Sequence, residues 1–251
     1  MSYQLVQCIR QLDHAPQSNL LSTLRLQLDF SEFAFLTAKD ARRQELLRQY
    51  TAWVDVNGPP AGIHGCLDTC FDSPDDRIRA TSLANAKASL SIAGELQASY
   101  CVFHAYVSSE RPDESIERQV PVWQALCEDL PAALTLAIEN VPEPHPETLL
   151  TLVERIDHPQ VKLCLDTGHL NVNSSRRLED WVRTFAPHLA YIHLHWNSGR
   201  ADEHRAPGDP MLDRLFRALE RVHCTPVIAL EYDPSDLERE VARIRRHYPN
   251  T

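Results

Sequence analysis

The stretch VKLCLDTGHL, residues 161–170, places Val161, Leu163, Cys164 and Leu165 around a single lysine and then turns polar at Asp166. Apolar residues on both faces leave no side for water. That is the habit of a parallel strand covered by helices on one side and packed against a barrel on the other. An amphipathic run near 176–186 follows, then LAYIHLHW (189–196), so the local order is strand, helix, strand. PVIALEY (226–232) repeats the doubly apolar character, with a helical pattern between the two at about 210–223 and another over 234–247 opening at Pro234-Ser235.

Toward the N-terminus the same rhythm recurs. LTLAIENV (134–141), YCVFHAYV (100–107), AGIHGCL (61–67), LRLQLDF (24–30) and YQLVQCI (3–9) read as strands. Helical periodicity spans about 40–56, 112–130 and 146–157, and Asp72 or Ser73 with Pro74 in the first turn predicts the start of another, reaching about Ala98. Only the connection between the first two strands reads as short or irregular. Eight strands alternating with helices predict an α/β fold, a (β/α)8 TIM barrel forming a single domain over residues 1–251.

Composition narrows the function. The chain carries 25 Lys plus Arg against 35 Asp plus Glu, a formal net charge of −10, whereas a nucleic-acid binder relies on basic surface to neutralise phosphates. A nucleic-acid partner is therefore not expected. No run of eighteen apolar residues predicts a membrane span, and MSYQLVQCIRQLDH lacks the basic and apolar regions of a secretory signal. Seven scattered cysteines without a CxxC pair read as reduced thiols of a cytoplasmic protein. Neither GxGxxG nor GxxxxGK[ST] nor GxSxG occurs, and only seven glycines are present, so a phosphate-cradling loop and a serine-nucleophile elbow are both unexpected.

Chemistry-bearing residues fall at one end of the strands. In chain order the strand ends bring His64, His104, Glu139-Asn140, Asp166 with His169 three residues on, His193 and His195, and Glu231. Asp202 and His204 follow in the loop after the seventh strand. One histidine at a strand end is more often a hydrogen-bonded structural residue, and Asp202 to His204 alone would pass for a solvated loop. Six strands delivering such groups to the same end predict convergence on one hollow, because the C-terminal strand ends of this barrel meet on one face. A mixed imidazole and carboxylate set suits Zn, Mn, Fe or Co rather than Ca or Mg alone.

In this order, "IHG", "SPDDRIRATS", "VFHA", "LAIENV", "CLDTGH", "IHLH", "DEHRAPG" and "LEY" resemble the xylose isomerase-like TIM-barrel superfamily over roughly residues 60–235. That superfamily joins sugar isomerases and epimerases with the endonuclease IV type of nuclease (AP endonuclease family 2). The isomerase branch implies one metal held by Glu139, Asp166, His193 and Glu231, with the two glutamates moving protons beside a metal-polarised carbonyl through an enediolate. The nuclease branch implies three zinc ions held by His64, His104, Glu139, Asp166, His169, His193, Asp202, His204 and Glu231.

The resemblance thus implies one to three divalent ions and catalytic roles for Glu139, Glu231 and His169. His195, Trp196, Arg200 and Asn140 are expected at the substrate. The chain departs from the family at His195-Trp196, where Asp or Asn is frequent, and at Pro210, where a glycine is usual. "GCLDTC" after His64 lacks an aromatic wedge for duplex DNA. The expectation is an isomerase or epimerase of a sugar or sugar phosphate, with hydrolysis of a small phosphoester as the alternative.

Overall fold

A computed structural model describes residues 3–10, 12, 15, 24–30, 41–128 and 130–248, apart from the side chains of 41–43. Eight parallel strands close into a barrel in sequence order: β1 (Leu5–Ile9), β2 (Arg25–Asp29), β3 (Gly62–His64), β4 (Tyr100–His104), β5 (Thr135–Glu139), β6 (Val161–Asp166), β7 (Leu189–Leu194) and β8 (Val227–Leu230). β8 pairs back onto β1, with Val6 opposite Ala229. The described helices are α1 (Ala41–Asn57), α2 (Asp76–Glu95), α3 (Pro112–Cys127), α4 (Pro146–Ile156), α5 (Thr167–Asn173), α6 (Leu178–Phe185), α7 (Asp209–Arg221) and α8 (Leu237–Arg245). The connection between the first two strands lies almost wholly outside the described residues, and so does His14.

Strand alternation sorts the side chains into two cores. Phe103, Ile138, Leu163, Leu165, Ile192 and Leu194 point outward, fully buried beneath the helices. Burial of such a side chain stabilises by roughly 1.5–3 kcal/mol. Trp123 on α3 and Trp181 on α6 join this layer, their indole N–H groups donating to Gln119 Oε1 (3.2 Å) and Ser174 Oγ (2.7 Å).

Inward, Val6, Tyr100, Val102, Ala137, Cys164, Tyr191 and Ala229 form a separate plug. The next inward positions, two residues on, are His104 after Val102, Glu139 after Ala137, Asp166 after Cys164, His193 after Tyr191 and Glu231 after Ala229. The same parity that packs the plug therefore stacks the polar groups on top of it. Pairing of His104 with Glu139 and of Asp166 with His193 levels them at one end.

Three expectations about element ends need correction. The sixth strand stops at Asp166 instead of running to residue 170, because the Asp166 carboxylate accepts from the His169 amide (2.6 Å) and caps α5, a helix not anticipated. The helix after β3 is capped by Asp75, not by Asp72 or Ser73: Asp72 is taken up by Arg118 (2.7 Å), while the Ser73 hydroxyl accepts from the Asp75 amide. The last helix begins at Leu237 behind the Asp236 cap, not at Pro234-Ser235. All seven cysteines are free thiols. No helix among the described residues is long and apolar enough to cross a membrane.

Candidate metal centre

All nine donors expected from the sequence meet over the plug. His64 Nε2 and His104 Nε2 lie 3.2 Å apart, and each is 3.4 Å from Glu139 Oε2. The same oxygen is 2.9 Å from His193 Nδ1, which in turn is 3.1 Å from Glu231 Oε1. Glu139 Oε1 faces His169 Nδ1 at 3.2 Å, and His169 Nε2 reaches Asp202 Oδ2 at 3.4 Å. His204 Nε2 stands 3.0 Å from that Asp202 oxygen. Asp202 and His204 come from beyond β7, where Trp196 and Arg205 exchange two backbone hydrogen bonds (2.7 and 2.9 Å) and fold the loop between them back on itself.

Each ring is oriented from behind. His64 Nδ1 donates to the Gly65 carbonyl (2.9 Å), His169 Nδ1 to the Asn140 carbonyl (3.0 Å) and His204 Nδ1 to the Glu231 carbonyl (2.7 Å). A carbonyl only accepts, so these contacts put the proton on Nδ1 and leave Nε2 facing the hollow, as metal-binding histidines require. His193 is reversed: its Nε2 meets the Gln27 side-chain amide, 3.1 Å from Nε2 and 3.3 Å from Oε1, the latter also accepting from the Tyr100 hydroxyl (2.8 Å), and its Nδ1 faces Glu139 and Glu231. His104 Nδ1 meets the Tyr106 hydroxyl at 2.8 Å. To reach it Tyr106 adopts φ 51°, a left-handed conformation that costs a bulky residue about 1–2 kcal/mol.

Lone pairs thus face carboxylates, and a cation has to lie between them. Glu139 Oε2, His193 Nδ1 and His195 Nδ1 are buried without any hydrogen-bond partner, where an unmade bond costs about 1–3 kcal/mol. Protons can fill the role: burial pulls the His64 imidazole down, but Glu139 more than reverses that and pushes it up to about 9. Asp202 pushes His204 up to about 9 against the pull of burial, and Asp166, Asp202 and Glu139 together overcome burial to push His169 up to about 12. Burial alone would raise Glu139, yet His193 and His104 hold it well below the usual carboxylate range. Glu231 goes the other way, pushed up by burial against the pull of His193. Divalent ions would replace these protons with fixed charge, and the donor set fits them. Four subsets each bring three donors within 4.8 Å of one another: His64, Glu139 and His193; Asp166, His193 and Glu231; Asp166, His169 and His195; His195, Asp202 and His204.

A cavity of about 360 Å³ opens beside Glu231 and His204, walled by Cys8, Arg10, Asp29 and Tyr232.

A family model, described as xylose isomerase-like TIM barrel, matches residues 25–247. The chain belongs to that family. No curated protein matches it. Among solved structures, the TTHB071 protein from Thermus thermophilus, soaked with ZnCl2, is 23% identical with a TM-score of 0.74, covering 99% of this chain and 100% of that one. A D-tagatose 3-epimerase-like protein gives 16% and 0.74 over 97% and 96%, and endonuclease IV from Thermus thermophilus gives 17% and 0.64 over 97% of each. At these identities the likeness is one of fold, and family membership embraces enzymes of both kinds.

The four residues expected at the substrate take different places. Asn140 is buried, its side chain donating to the Asp166 carbonyl (3.0 Å) and accepting from the Asp166 amide (2.8 Å), so it holds the end of β6. His195 is fully buried among the candidate metal donors, 3.0 Å from Asp166 Oδ2. Trp196 packs half-buried on the core, and Arg200 is exposed in the loop beyond. Gln27 and Tyr106 escaped the sequence reading. A glutamine amid the alternating leucines of LRLQLDF was the available signal for the first, and no sequence pattern marks the second.

Proposed function

We propose that this barrel is a metal-dependent hydrolase of a small phosphoester that works with more than one divalent ion. The carrying observation is the donor count: nine expected donors surround one hollow, whereas a one-ion isomerase of the family pattern uses only Glu139, Asp166, His193 and Glu231. Charge argues in the same direction. One divalent ion leaves the carboxylates of Glu139, Asp166, Asp202 and Glu231 in excess, two balance them, and three make the hollow attractive to an anion. The net charge of −10 and the missing wedge favour a small substrate over duplex DNA.

Bound divalent ions supply Lewis-acid stabilisation of phosphoryl charge and lower the pKa of water. The side chains do the rest. Glu139, Asp166, His193 and Glu231 form the deep wall, with His193 aimed by Gln27 and Asp166 held by Asn140. Arg10 offers a guanidinium to the phosphate from the cavity wall. Glu231, reaching the same cavity, takes the proton of the attacking water as the new bond to phosphorus forms and the bond to the leaving oxygen breaks.

One observation favours the isomerase or epimerase reading: Glu139 and Glu231 approach His193 Nδ1 together, at 2.9 and 3.1 Å, as paired proton-transferring glutamates would. Zinc- or manganese-loaded protein, assayed on bis(p-nitrophenyl) phosphate and on ketoses in heavy water, separates the two. Release of nitrophenol that His104→Ala abolishes is the expected result. Deuterium uptake into a ketose, unaffected by His104→Ala and with no nitrophenol under any ion, would replace hydrolysis with isomerisation.

A further inference from the structure

The cavity beside Glu231 and His204 has a neighbour. His204, Tyr232 and Asp233 also wall a second, larger cavity of about 700 Å³, lined beyond them by the β8–α8 connection and by α8. Arg205, Arg239, Arg243 and Arg246 all line it, in a chain whose formal net charge is −10. Positions 239, 243 and 246 follow the four- and three-residue spacing of one helix face, and Arg246 keeps a helical conformation as the C-cap of α8. At about 1.5 Å of rise per residue, they mark out about 10 Å of groove.

The four guanidiniums are not equally engaged. Arg243 is fixed by Glu240 (2.6 and 2.8 Å), by Asp209 and by the Pro207 carbonyl (2.9 Å), and Arg205 by Glu203 (2.8 Å). Arg239 and Arg246 are exposed, and their guanidiniums have no partner among the described residues. The acidic side of the groove is largely taken up. Glu240 also accepts from the Tyr232 hydroxyl, and Asp236 accepts from the Arg239 amide (3.0 Å) to cap α8. Four arginines against Asp233, Asp236 and Glu240 leave the groove formally positive. Such a wall suits an oxyanion, because a guanidinium fork bonds two oxygens of a phosphate at once. Two open guanidiniums also match the charge of about −2 that a terminal phosphate carries near neutral pH.

We propose that this groove is a second anion subsite of the candidate centre, and that the substrate is a small phosphoester carrying a second phosphate group. The ester to be cleaved lies in the cavity beside Glu231, and Arg239 and Arg246 hold the other phosphate. Binding of that remote group positions the reacting one. About 10 Å of arginine in an acidic protein suits a single phosphate rather than the run of phosphates of a polynucleotide. The inference rests on the phosphoester reading of the proposed function and adds to it the class of substrate.

The test is calorimetric titration of zinc-loaded protein, its ion content checked, with 1,n-alkanediol bisphosphates of three to six carbons and with alkyl monophosphates of the same lengths. Wild type is compared with Arg239→Gln plus Arg246→Gln, and with Arg239→Lys plus Arg246→Lys, which keeps the charge without the fork. Circular dichroism monitors the fold. A bisphosphate of fitting length should bind wild type at least about 10-fold tighter than its monophosphate, as two partly exposed ion pairs supply. The glutamine pair should bind the two equally, and the lysine pair should keep part of the difference. Equal binding of mono- and bisphosphates by wild type overturns the subsite and leaves the phosphoester reading standing. A preference that survives the glutamine pair overturns the assignment to Arg239 and Arg246. Zinc-loaded wild type that binds none of these phosphates overturns the phosphoester reading and the subsite with it. A single-stranded oligonucleotide that binds tighter than every bisphosphate, through the same two arginines, overturns the small-substrate class.

Discussion

Gly168→Ala should weaken metal binding while barely altering the local backbone. Gly168 occupies the first turn of α5 and is not among the residues with positive φ, so alanine fits its dihedrals. In an open helix the change would stabilise by about 1 kcal/mol. Here the added Cβ would overlap Cε1, Nδ1 and Nε2 of His195. The ring can back away only by pushing on its neighbours, because His204 stacks on it at 4.0 Å and Asp166 holds Nε2 at 3.0 Å. Overpacking of this kind costs about 1–3 kcal/mol. Set against the helix gain, the net destabilisation is between about 0 and 2 kcal/mol. At about 2–4 °C per kcal/mol for a chain of this size, Tm falls by at most about 8 °C. Displacing His195 also displaces Asp166 and His204, and the expected loss of metal affinity is at least about 10-fold. Thermal melts with chelator and with zinc, and ions counted per chain, measure both effects. A Gly168→Ala protein that melts at or above wild type and holds every ion with unchanged affinity would refute the confinement of that ring.

Two further expectations lie outside the metal centre. Glu143 is buried and accepts from the Val107 and Val141 amides, both at 2.8 Å, so Glu143→Ala should destabilise by about 2–6 kcal/mol in urea unfolding; a loss below about 1 kcal/mol would mean that those amides find other partners. Arg214 on α7, at 2.9 and 3.0 Å, holds Glu179 on α6 down to about 2, so their pair contributes fully above the unfolded carboxylate value of about 4.3 and fades as pH falls from there toward 2. Being partly exposed, it is worth about 0.2–1 kcal/mol, and the stability gap between wild type and Glu179→Gln should shrink between pH 5 and pH 3 rather than stay constant.

The barrel was legible because runs such as VKLCL and PVIAL leave no face for water, and because each ends on a group that water or metal must satisfy. The same parity made His64, His104, Glu139, Asp166, His193 and Glu231 visible as one ring. His195 has the inward parity of His193, yet it meets Asp202 and His204 only because a loop returns through the Trp196–Arg205 pairing, which parity alone does not reveal. Gln27 and Asn140 look like ordinary polar residues until their partners are known, since each acts across the barrel or onto a neighbouring strand. α5 was hidden because Asp166 serves at once as the last residue of a strand and as a helix cap.

The ring of donors has a consequence for how the chain folds. Its members run from position 64 to position 231, and of the three-donor sets only His195, Asp202 and His204 lie within one connection, that between β7 and α7. Outside that loop, metal has nothing to nucleate on in an early, local intermediate. The sets that contain Glu139 or Glu231 can be filled only after the long loops have closed and the strands that carry them have met, which makes those ions late partners that reward finished topology. Until that moment the buried carboxylates oppose the collapse that brings them together. Stoichiometric ion uptake during refolding would then serve as a clock for barrel closure, lagging behind the appearance of helix.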